Sequence, residues 1–410
     1  MAVFRPFKGI RPEKSQAADV SALPYDVMNR EEATAMAKGN PVSFLHISRA
    51  EIDLPDDSPY EAAVYEKAKE NLAGFCGQNI LFEEEKPVYY IYRQMMWGRV
   101  QTGLVGCAAI DEYESGVIKR HEFTRKEKER DRIEHFDICD CNTEPIFLTY
   151  RKNERINCLV REWIKFHKPE YDFQSEDGFT HILWPIDEEE IIAEIRALFA
   201  GTESLYIADG HHRAASAAAV GKKRRLENPG YSGNEEFNFV MAVAFPDEDL
   251  FIMDYNRVVA DLHGLAAPAF LEKVAESFEV EKRNGQVRPT KKHHFGLYLA
   301  GDWYELKAKE GTYPIADPVN GLDAAILQNN LLAPVLGIAD PRTDKRVDFV
   351  GGIRGLDELE QRTKEGVAFA LCPVTIGDLL AVADSGAVMP PKSTWFEPKL
   401  RSGLFLHILK

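Results

Sequence analysis

Five consecutive residues near the middle of the chain, Asp209-Gly-His-His-Arg213, bring together a carboxylate, two imidazoles and a guanidinium. They stand where an apolar, β-forming run ends and a run of strong helix formers begins. A helix that starts there directs unpaired backbone N–H groups and the positive end of its dipole at the loop, which attracts anions. We therefore predict that residues 209–213, called the corner below, form an anion site. A capped helix whose polar residues satisfy one another is the alternative.

A second polar cluster follows a strand-like run that ends near residue 120. His121 and Glu122 lie at the end of this run, where loops commonly hold functional residues. Thr124 is expected to cap a helix with Glu127 as its capping-box partner, so part of the charge has a structural explanation. Glu127 and Asp131 are four residues apart and share a helical face. A solvated helix with charge pairs along its surface is the alternative to a functional cluster.

The two ends of the chain supply further cations. The proline-rich start carries Arg5 and Lys8 in segments that proline holds extended, and either side chain could reach a bound anion. Near the other end, Lys392, Ser393 and Thr394 offer a cation and two hydroxyl groups to a phosphate. An apolar strand predicted over residues 404–409 follows them, which indicates that this loop is held against the body of the protein.

Composition and charge argue against several classes of protein. The 410 residues carry a net charge of −16 with a pI near 5.3, which argues against a nucleic-acid surface. No run approaches the ~18 apolar residues of a membrane helix. The N-terminus lacks the apolar core of a signal peptide. We expect a cytoplasmic protein with no nucleic-acid or membrane partner, and its oligomeric state is left open.

The elements that must position these side chains mix strands and helices. Apolar alternation predicts strands over residues 87–95 and 98–111, joined as a hairpin at Trp97-Gly98. A strand over 41–48 and an amphipathic helix over 57–78 are predicted before them. The mixture indicates an α+β fold with mixed sheets and packed helices.

Three regions are expected along the chain. Residues 1–112 form an N-terminal α+β region, and residues 113–260 form a central domain that carries both polar clusters. Residues 261–410 form a C-terminal α+β domain whose last loop, residues 389–403, is expected to return to the site.

Four segments, taken in order, resemble one known family. They are Phe4-Arg-Pro-Phe-Lys-Gly-Ile-Arg-Pro12 with Leu23-Pro-Tyr-Asp-Val27, Ile118-Lys-Arg-His-Glu-Phe-Thr124 through Asp131-Arg132, Ala208-Asp-Gly-His-His-Arg213, and Met389-Pro-Pro-Lys-Ser-Thr394. Their order and spacing are similar to those of a large family of bacterial and archaeal cytoplasmic proteins long described as a domain of unknown function. The resemblance runs from residue 4 to about residue 403.

The corner is also similar to the strand-to-helix corner of the ParB and sulfiredoxin-like nucleotide-binding fold. That superfamily includes free-serine kinases, which phosphorylate the hydroxyl group of L-serine using ADP or ATP with Mg²⁺. The resemblance implies a central ParB/sulfiredoxin-like core, Mg²⁺ and ATP or ADP as cofactors, and a small hydroxyl amino acid as the acceptor. The sequence contains neither a Gly-x-x-x-x-Gly-Lys-Ser/Thr loop nor the protein-kinase signature set.

Phosphoryl transfer needs donors and cations around the phosphates, a metal ion, and a carboxylate that orients or deprotonates the hydroxyl group. The catalytic candidates are Glu122 as first choice of base, Asp209 as second choice, and His211. The predicted nucleotide-binding residues are Gly210, His212, Arg213, Lys392, Ser393, Thr394, Arg5 and Lys8. The predicted substrate-binding residues are His121, Thr124, Tyr25 and Asp26. Asp131 and Glu127 are the predicted metal ligands, directly or through water.

Two other functions remain open at this point. His121, His211, His212 and Asp209 could bind Zn²⁺ or Fe²⁺ in a metal-dependent hydrolase, although adjacent histidines at a helix start point in different directions. A non-catalytic regulator that senses a nucleotide would use the same corner without turnover.

Overall fold

The computed structural model describes residues 2–55 and 61–410. It contains two compact units. The first comprises Met1–Arg120, Thr124–Leu250 and Pro398–Lys410, and the second comprises His121–Phe123 and Phe251–Glu397. Both contain helices and β-sheets, with a mixed nine-stranded sheet in the first unit and antiparallel sheets in the second, which confirms the predicted α+β class. The division into three regions and the ParB-like core stay predictions.

A nine-stranded mixed sheet forms the centre of the first unit. Eight strands lie side by side in the order Ile118–Lys119, Leu205–Asp209, Ile146–Tyr150, Phe239–Pro246, Arg99–Ala109, Tyr89–Met96, Thr180–Ile186 and Tyr171–Gln174. The short strand Phe4–Arg5 pairs with Arg99–Ala109 off this path. The strands at the centre of the sheet are buried over most of their length, as their apolar sequences require.

The predicted hairpin of the large sheet is confirmed. Tyr89–Met96 and Arg99–Ala109 pair antiparallel from Tyr90 with Val105 to Met96 with Arg99. The two residues between them have positive φ, 51° at Trp97 and 77° at Gly98. A two-residue turn with both φ angles positive matches the twist of the strands it joins.

Helices pack in two apolar cores, one against this sheet and one against a smaller four-stranded sheet. In the first unit they are Ala17–Val20, Arg30–Ala37, Leu45–Ser48, Ala62–Gly77, Ile110–Ser115, Lys126–Cys139, Glu154–Phe166, Glu189–Ala200 and His211–Glu227. The predicted strand over 41–48 is wrong, because Leu45–Ser48 is a helical turn, and a short buried apolar run does not distinguish strand from helix. The helix predicted over 57–78 is observed as Ala62–Gly77, and residues 57–60 lie outside the described residues.

A four-stranded sheet joins distant parts of the first unit. Its strands follow the order Leu81–Glu83, Gly9–Pro12, Leu406–Ile408 and Cys141–Asn142. The predicted closing strand is therefore present, shortened to Leu406–Ile408. This pairing holds the C-terminal segment beside both the N-terminal segment and the chain that enters Ile146–Tyr150.

The second unit has its own sheet and core. A six-stranded sheet has the order Phe278–Arg283, Asp302–Ala308, His294–Leu299, Val367–Leu371, Tyr255–Val259 and Val347–Gly351. A two-stranded sheet pairs Phe251–Met253 with Trp395–Glu397. The helices are Ala267–Ser277, Asp323–Leu327, Asp357–Arg362 and Ile376–Asp384. Within the described ranges, no helix of either unit is long and apolar enough to cross a membrane.

The helix His211–Glu227 contains a glycine, Gly221, at a position where close packing leaves no room for a side chain. A Cβ atom at Gly221 would lie 2.5 Å from the carbonyl oxygen of Phe237 and would overlap the side chain of Ile110. We expect Gly221→Ala to lower the free energy of unfolding by about 1–3 kcal/mol, since overpacking outweighs the better helix propensity of alanine.

Gly74, in the helix Ala62–Gly77, provides the matched control. A Cβ atom there would meet only the end of the Gln78 side chain, at 3.9 Å. Gly74→Ala should raise the free energy of unfolding by about 0.5–1 kcal/mol. Urea unfolding of both variants measures the difference, and a stabilised Gly221→Ala protein would contradict the packing argument.

Candidate functional site

The predicted strand, corner and helix are observed around Asp209. The strand Leu205–Asp209 pairs in parallel with Ile118–Lys119 and antiparallel with Ile146–Tyr150. Its register with the second of these strands shifts between Ile207 and Asp209. Such a bulge re-aims the side chain that follows it. The helix His211–Glu227 begins directly after Gly210.

Only glycine fits at position 210. Its φ is +90°, which places it in the left-handed region. A Cβ atom there would also lie 3.0 Å from the guanidinium carbon of Arg213. Gly210 thus lets the chain turn sharply while the Arg213 side chain folds back against it.

Asp209 is held ionised by three neighbours. The N–H group of Gly210 donates to its Oδ1 at 2.8 Å, and Lys399 Nζ donates to its Oδ2 at 3.0 Å. Arg213 Nη2 lies 3.9 Å from Oδ1. Burial acts to raise the pKa of Asp209, but the charges of Lys399 and Arg213 prevail and hold it well below its usual range. A carboxylate with so low a pKa is a weak general base and a strong partner for cations.

Two helices begin side by side at the corner. The N–H group of Arg125, which precedes the helix Lys126–Cys139, donates to His212 Nε2 at 2.9 Å. His212 therefore carries its own proton on Nδ1 in this contact. Farther along, Ser216 Oγ donates to the carbonyl oxygen of Glu129 at 2.9 Å. The positive ends of both helix dipoles consequently lie together.

The predicted capping box at Thr124 is wrong. The helix Lys126–Cys139 is preceded by Arg125 at the cap position, with no side-chain cap. Since the cap is one residue later than predicted, the third helical position is Lys128 and not Glu127. Thr124 Oγ1 instead donates to the side chain of Glu129 at 2.8 Å. Its predicted role in substrate binding stays a prediction.

Tyr25 and Asp26 lie beside the buried end of Arg213. Arg132 places its guanidinium carbon 4.0 Å from the centre of the buried Tyr25 ring. Burial acts to lower the pKa of Arg213, but the negative charges of Asp26 and Asp209 raise it above its usual value. The structure thus brings Tyr25, Asp26, Asp209 and Arg213 together within the first unit.

Sequence reasoning missed Glu144, which is fully buried next to these residues. Its Oε1 accepts hydrogen bonds from the Tyr25 N–H group at 3.2 Å and from Ser402 Oγ at 2.7 Å. Burial raises the pKa of Glu144 against the opposing charges of Arg213 and Arg132. A glutamate two residues before the buried strand Ile146–Tyr150 was the available signal.

Lys399 was also missed, although it lies in the predicted loop 389–403. Its side chain is only 10% exposed and reaches Asp209. Gln94 Nε2 donates to its carbonyl oxygen at 2.8 Å, which fixes its backbone against the large sheet. A lysine shortly before an apolar closing strand was the signal, but the hydroxyl groups next to Lys392 made that residue the stronger candidate.

The two predicted metal ligands, Asp131 and Glu127, differ in their burial and in the contacts they already make. Both oxygens of the buried Asp131 are engaged, Oδ2 by Arg132 Nε at 2.8 Å and Oδ1 by the Tyr65 hydroxyl group at 3.0 Å. Glu127 is exposed. Both residues line a cavity of about 560 Å³ together with Tyr65, Lys126, Arg130 and Glu134. Across residues 2–55 and 61–410, no three His, Cys, Asp or Glu side chains form a group that could hold a metal ion.

The two N-terminal cations have different surroundings. Arg5 pairs with Glu236 and lies 3.4 Å above the ring of Phe239, so its contacts are with these residues and not with the corner. Lys8 is exposed. Anion binding by Arg5 and Lys8 stays a prediction.

In the second unit, the predicted residues 121–122 and 392–394 belong to neighbouring segments. Thr394 Oγ1 lies 3.4 Å from His121 Nε2, and the N–H group of Met389 donates to the His121 carbonyl oxygen at 2.8 Å. Ser393 Oγ donates to a carbonyl oxygen of its own loop, that of Pro390. Lys392 is exposed and holds its Nζ 5.6 Å from the centre of the Tyr255 ring. His121 is buried, and Glu122 beside it is partly exposed.

Comparison with known proteins identifies one family. The model of the family described as "Protein of unknown function (DUF1015)" matches residues 4–325. A search of the curated proteins finds no significant match.

Solved structures resemble the chain at low identity. A conserved hypothetical protein from Pyrococcus furiosus is 14% identical with a TM-score of 0.36, covering 74% of this chain and 95% of its own. A mutant free serine kinase in complex with ADP is 12% identical with a TM-score of 0.37, covering 75% and 93%. SbnI from Staphylococcus aureus, truncated at its C-terminus, is 11% identical with a TM-score of 0.36, covering 74% and 87%. At these scores the likeness supports no inference about fold or activity.

The ion pair between Lys399 and Asp209 makes a pH-dependent contribution to stability. Because the folded-state pKa of Asp209 is depressed, this contribution is present above the unfolded pKa of about 3.9 and is lost as the pH falls through the folded value. We expect Lys399→Met to lower the free energy of unfolding at about pH 7 by about 1–3 kcal/mol. The difference from the unmodified protein should shrink as the pH falls toward about 3.

Urea unfolding at the two pH values measures this effect. Lys8→Met is the matched control, since it removes the same charge from an exposed position. Equal losses in the two variants at about pH 7 would show that the pair with Asp209 does not stabilise the fold.

Proposed function

The chain belongs to the protein family of unknown function DUF1015, and we propose that it is a small-molecule kinase. In this proposal it transfers a phosphoryl group from ATP or ADP to the hydroxyl group of free L-serine and forms O-phosphoserine. The observation that carries the proposal is the pair of helix starts at His211 and Lys126, joined by the hydrogen bond from Arg125 to His212.

Paired helix starts suit the phosphates of a nucleotide. Each start offers unpaired N–H groups and a positive dipole end, and anions commonly bind there. Lys399 and Arg213 add two full positive charges next to Asp209. Since phosphoryl transfer is catalysed mainly by positioning and by charge stabilisation, fixed cations and helix starts are groups of the kind that the reaction uses.

Asp209 fits Mg²⁺ better than Asp131 does. Mg²⁺ usually binds one or two carboxylates and completes its shell with water and substrate phosphates. Both carboxylates already accept hydrogen bonds, Asp209 from Gly210 and Lys399 and Asp131 from Arg132 and Tyr65, but Asp209 is partly exposed whereas Asp131 is buried. When bound, Mg²⁺ neutralises charge on the phosphate oxygens. Glu127, exposed on the same helix as Asp131, stays a predicted second ligand.

The low pKa of Asp209 leaves Glu122 as the candidate base. An effective general base has a pKa near the working pH, and Asp209 does not meet this condition. The role of Glu122 rests on its position in the His-Glu-Phe-Thr motif. Loss of turnover with retained nucleotide binding in Glu122→Gln is the result that this role requires.

The cavity beside Glu127 suits a free amino acid. It is lined by the cations Lys126 and Arg130 and by the carboxylates Glu127, Asp131 and Glu134. A zwitterion presents one group of each sign to such a lining. L-Serine as the acceptor follows the resemblance of the corner to free-serine kinases, and the charge pattern of the cavity supports an amino acid of this kind.

A direct assay tests the proposal. The purified protein is incubated with L-serine, Mg²⁺ and either ATP or ADP, and O-phosphoserine is measured by mass spectrometry. Formation of O-phosphoserine with one donor supports the kinase. No product with either donor overturns it, and tight nucleotide binding in the same samples would then favour a nucleotide-sensing regulator.

Replacement of Asp209 tests the corner itself. Asp209→Asn keeps the shape of the side chain and removes its charge, so Lys399 loses its partner and Mg²⁺ loses a ligand. We expect activity to fall at least ~100-fold, the scale of losing a positioned charged group. Asp187→Asn is the matched control, because Asp187 is also paired with a lysine, Lys86, but at an exposed site. Equal activities in the two variants would mean that Asp209 is structural.

Replacement of His212 tests the link between the two helix starts. His212→Ala leaves the Arg125 N–H group without its acceptor, and we expect the Kd for ADP to rise about tenfold. His212→Gln places an amide oxygen near the position of Nε2 and should keep the Kd within about threefold of the unmodified protein. Isothermal titration calorimetry measures both. Unchanged affinity in His212→Ala would show that nucleotide binding does not depend on the hydrogen bond that joins the two helix starts.

A further inference from the structure

The second unit contains a small cavity that the proposed kinase reaction does not use. Its volume is about 270 Å³, and apolar side chains of Leu322, Pro373 and Val374 form much of its wall. Ligand cavities usually measure about 300–1,000 Å³, so this one suits a molecule of only a few carbon atoms.

One oxygen of a buried carboxylate in this wall has no hydrogen-bond partner among the described residues. Asp323 is 7% exposed, and its Oδ1 accepts a hydrogen bond from the His293 N–H group at 2.8 Å. Its Oδ2 is buried and, within the part of the chain that the structure describes, has no hydrogen-bond partner. Buried oxygens of this kind are rare because the lost hydration is costly. A ligand that donates a hydrogen bond would satisfy it.

The other charges at the cavity leave an excess of negative charge. Lys292 Nζ donates to Asp378 Oδ1 at 2.5 Å, so these two charges offset each other. Asp317 accepts hydrogen bonds from the N–H groups of Val319 and Asn320 and adds a further negative charge at the rim. Burial raises the pKa of Asp323 to about 7, so the carboxyl group is poised to ionise when a cation binds.

We propose that this cavity binds a small molecule in which a primary ammonium group is attached to a short apolar chain. The ammonium group donates to Asp323 Oδ2, and the apolar chain lies against Leu322, Pro373 and Val374. An ammonium group offers donors without an acceptor, which matches an acceptor-only carboxylate oxygen. The inference is independent of the proposed kinase activity, and its test contains no nucleotide.

A cysteine in the cavity wall provides the readout. Cys372 lines the cavity and is partly exposed, while Cys158, in the helix Glu154–Phe166, is partly exposed in the first unit. Alkylation of each thiol by iodoacetamide at about pH 8 is followed by peptide mass spectrometry, and burial of Cys372 makes its reaction slow enough to time. A bound ligand should protect Cys372 and leave Cys158 unchanged.

Three probes of nearly equal shape separate the possibilities. They are isoamylammonium, neutral isoamyl alcohol and the isovalerate anion, each titrated against the protection of Cys372. We expect isoamylammonium to protect at a concentration at least about tenfold lower than isoamyl alcohol, the scale of a charge-assisted hydrogen bond. Equal protection by the alcohol and the ammonium compound, or no protection by either, overturns the proposal.

Variants locate the binding group. Asp323→Asn should remove the preference for isoamylammonium over isoamyl alcohol. Asp317→Asn, which removes one negative charge from a carboxylate that is already hydrogen-bonded, should keep it. Retained preference in Asp323→Asn overturns the assignment to Asp323. The probe comparison on the unmodified protein decides the proposal even if Asp323→Asn does not fold.

Discussion

The buried ionic cluster around Glu144 is the constraint on which the candidate site in the first unit depends. Arg132 and Arg213 are both at least 96% buried, and each would cost several kcal/mol to bury alone. Glu144, Asp131 and Asp209 supply the negative charges that make their burial tolerable. Because every charge in such a cluster needs its partner, the segments that carry them are held in one arrangement.

This cluster connects parts of the chain that lie far apart in sequence. Glu144 accepts hydrogen bonds from Tyr25 near the N-terminus and from Ser402 near the C-terminus. Lys399, three residues before Ser402, reaches Asp209 at the end of the strand Leu205–Asp209. The same charged groups therefore hold both the C-terminal segment and the corner in position. Exposed ion pairs elsewhere, such as Lys86 with Asp187, contribute little by comparison.

Local features were predictable from the sequence, and long-range partners were not. The change from strand to helix at the corner and the hairpin at Trp97-Gly98 are confirmed because each depends on residues that are adjacent in the chain, whereas the anion site at the corner stays a prediction. The capping box at Thr124 fails by one position, since helix starts are set by tertiary contacts as much as by propensity. The sequence around Glu144 and Lys399 contains no local pattern from which their partners could be predicted. Their roles follow from strand order, which brings residues 144, 209 and 399 together only after folding.

The ionisation of Asp209 decides how the proposed chemistry divides among the side chains. Two cations close to the carboxylate depress its pKa, so Asp209 holds a charge and does not accept a proton. Phosphoryl transfer passes through a loose transition state that demands little from a base and much from fixed positive charge. Lys399, Arg213 and the helix starts at His211 and Lys126 provide that charge in fixed positions. In the proposed reaction the corner therefore binds and polarises phosphates, and proton removal is left to a residue outside it.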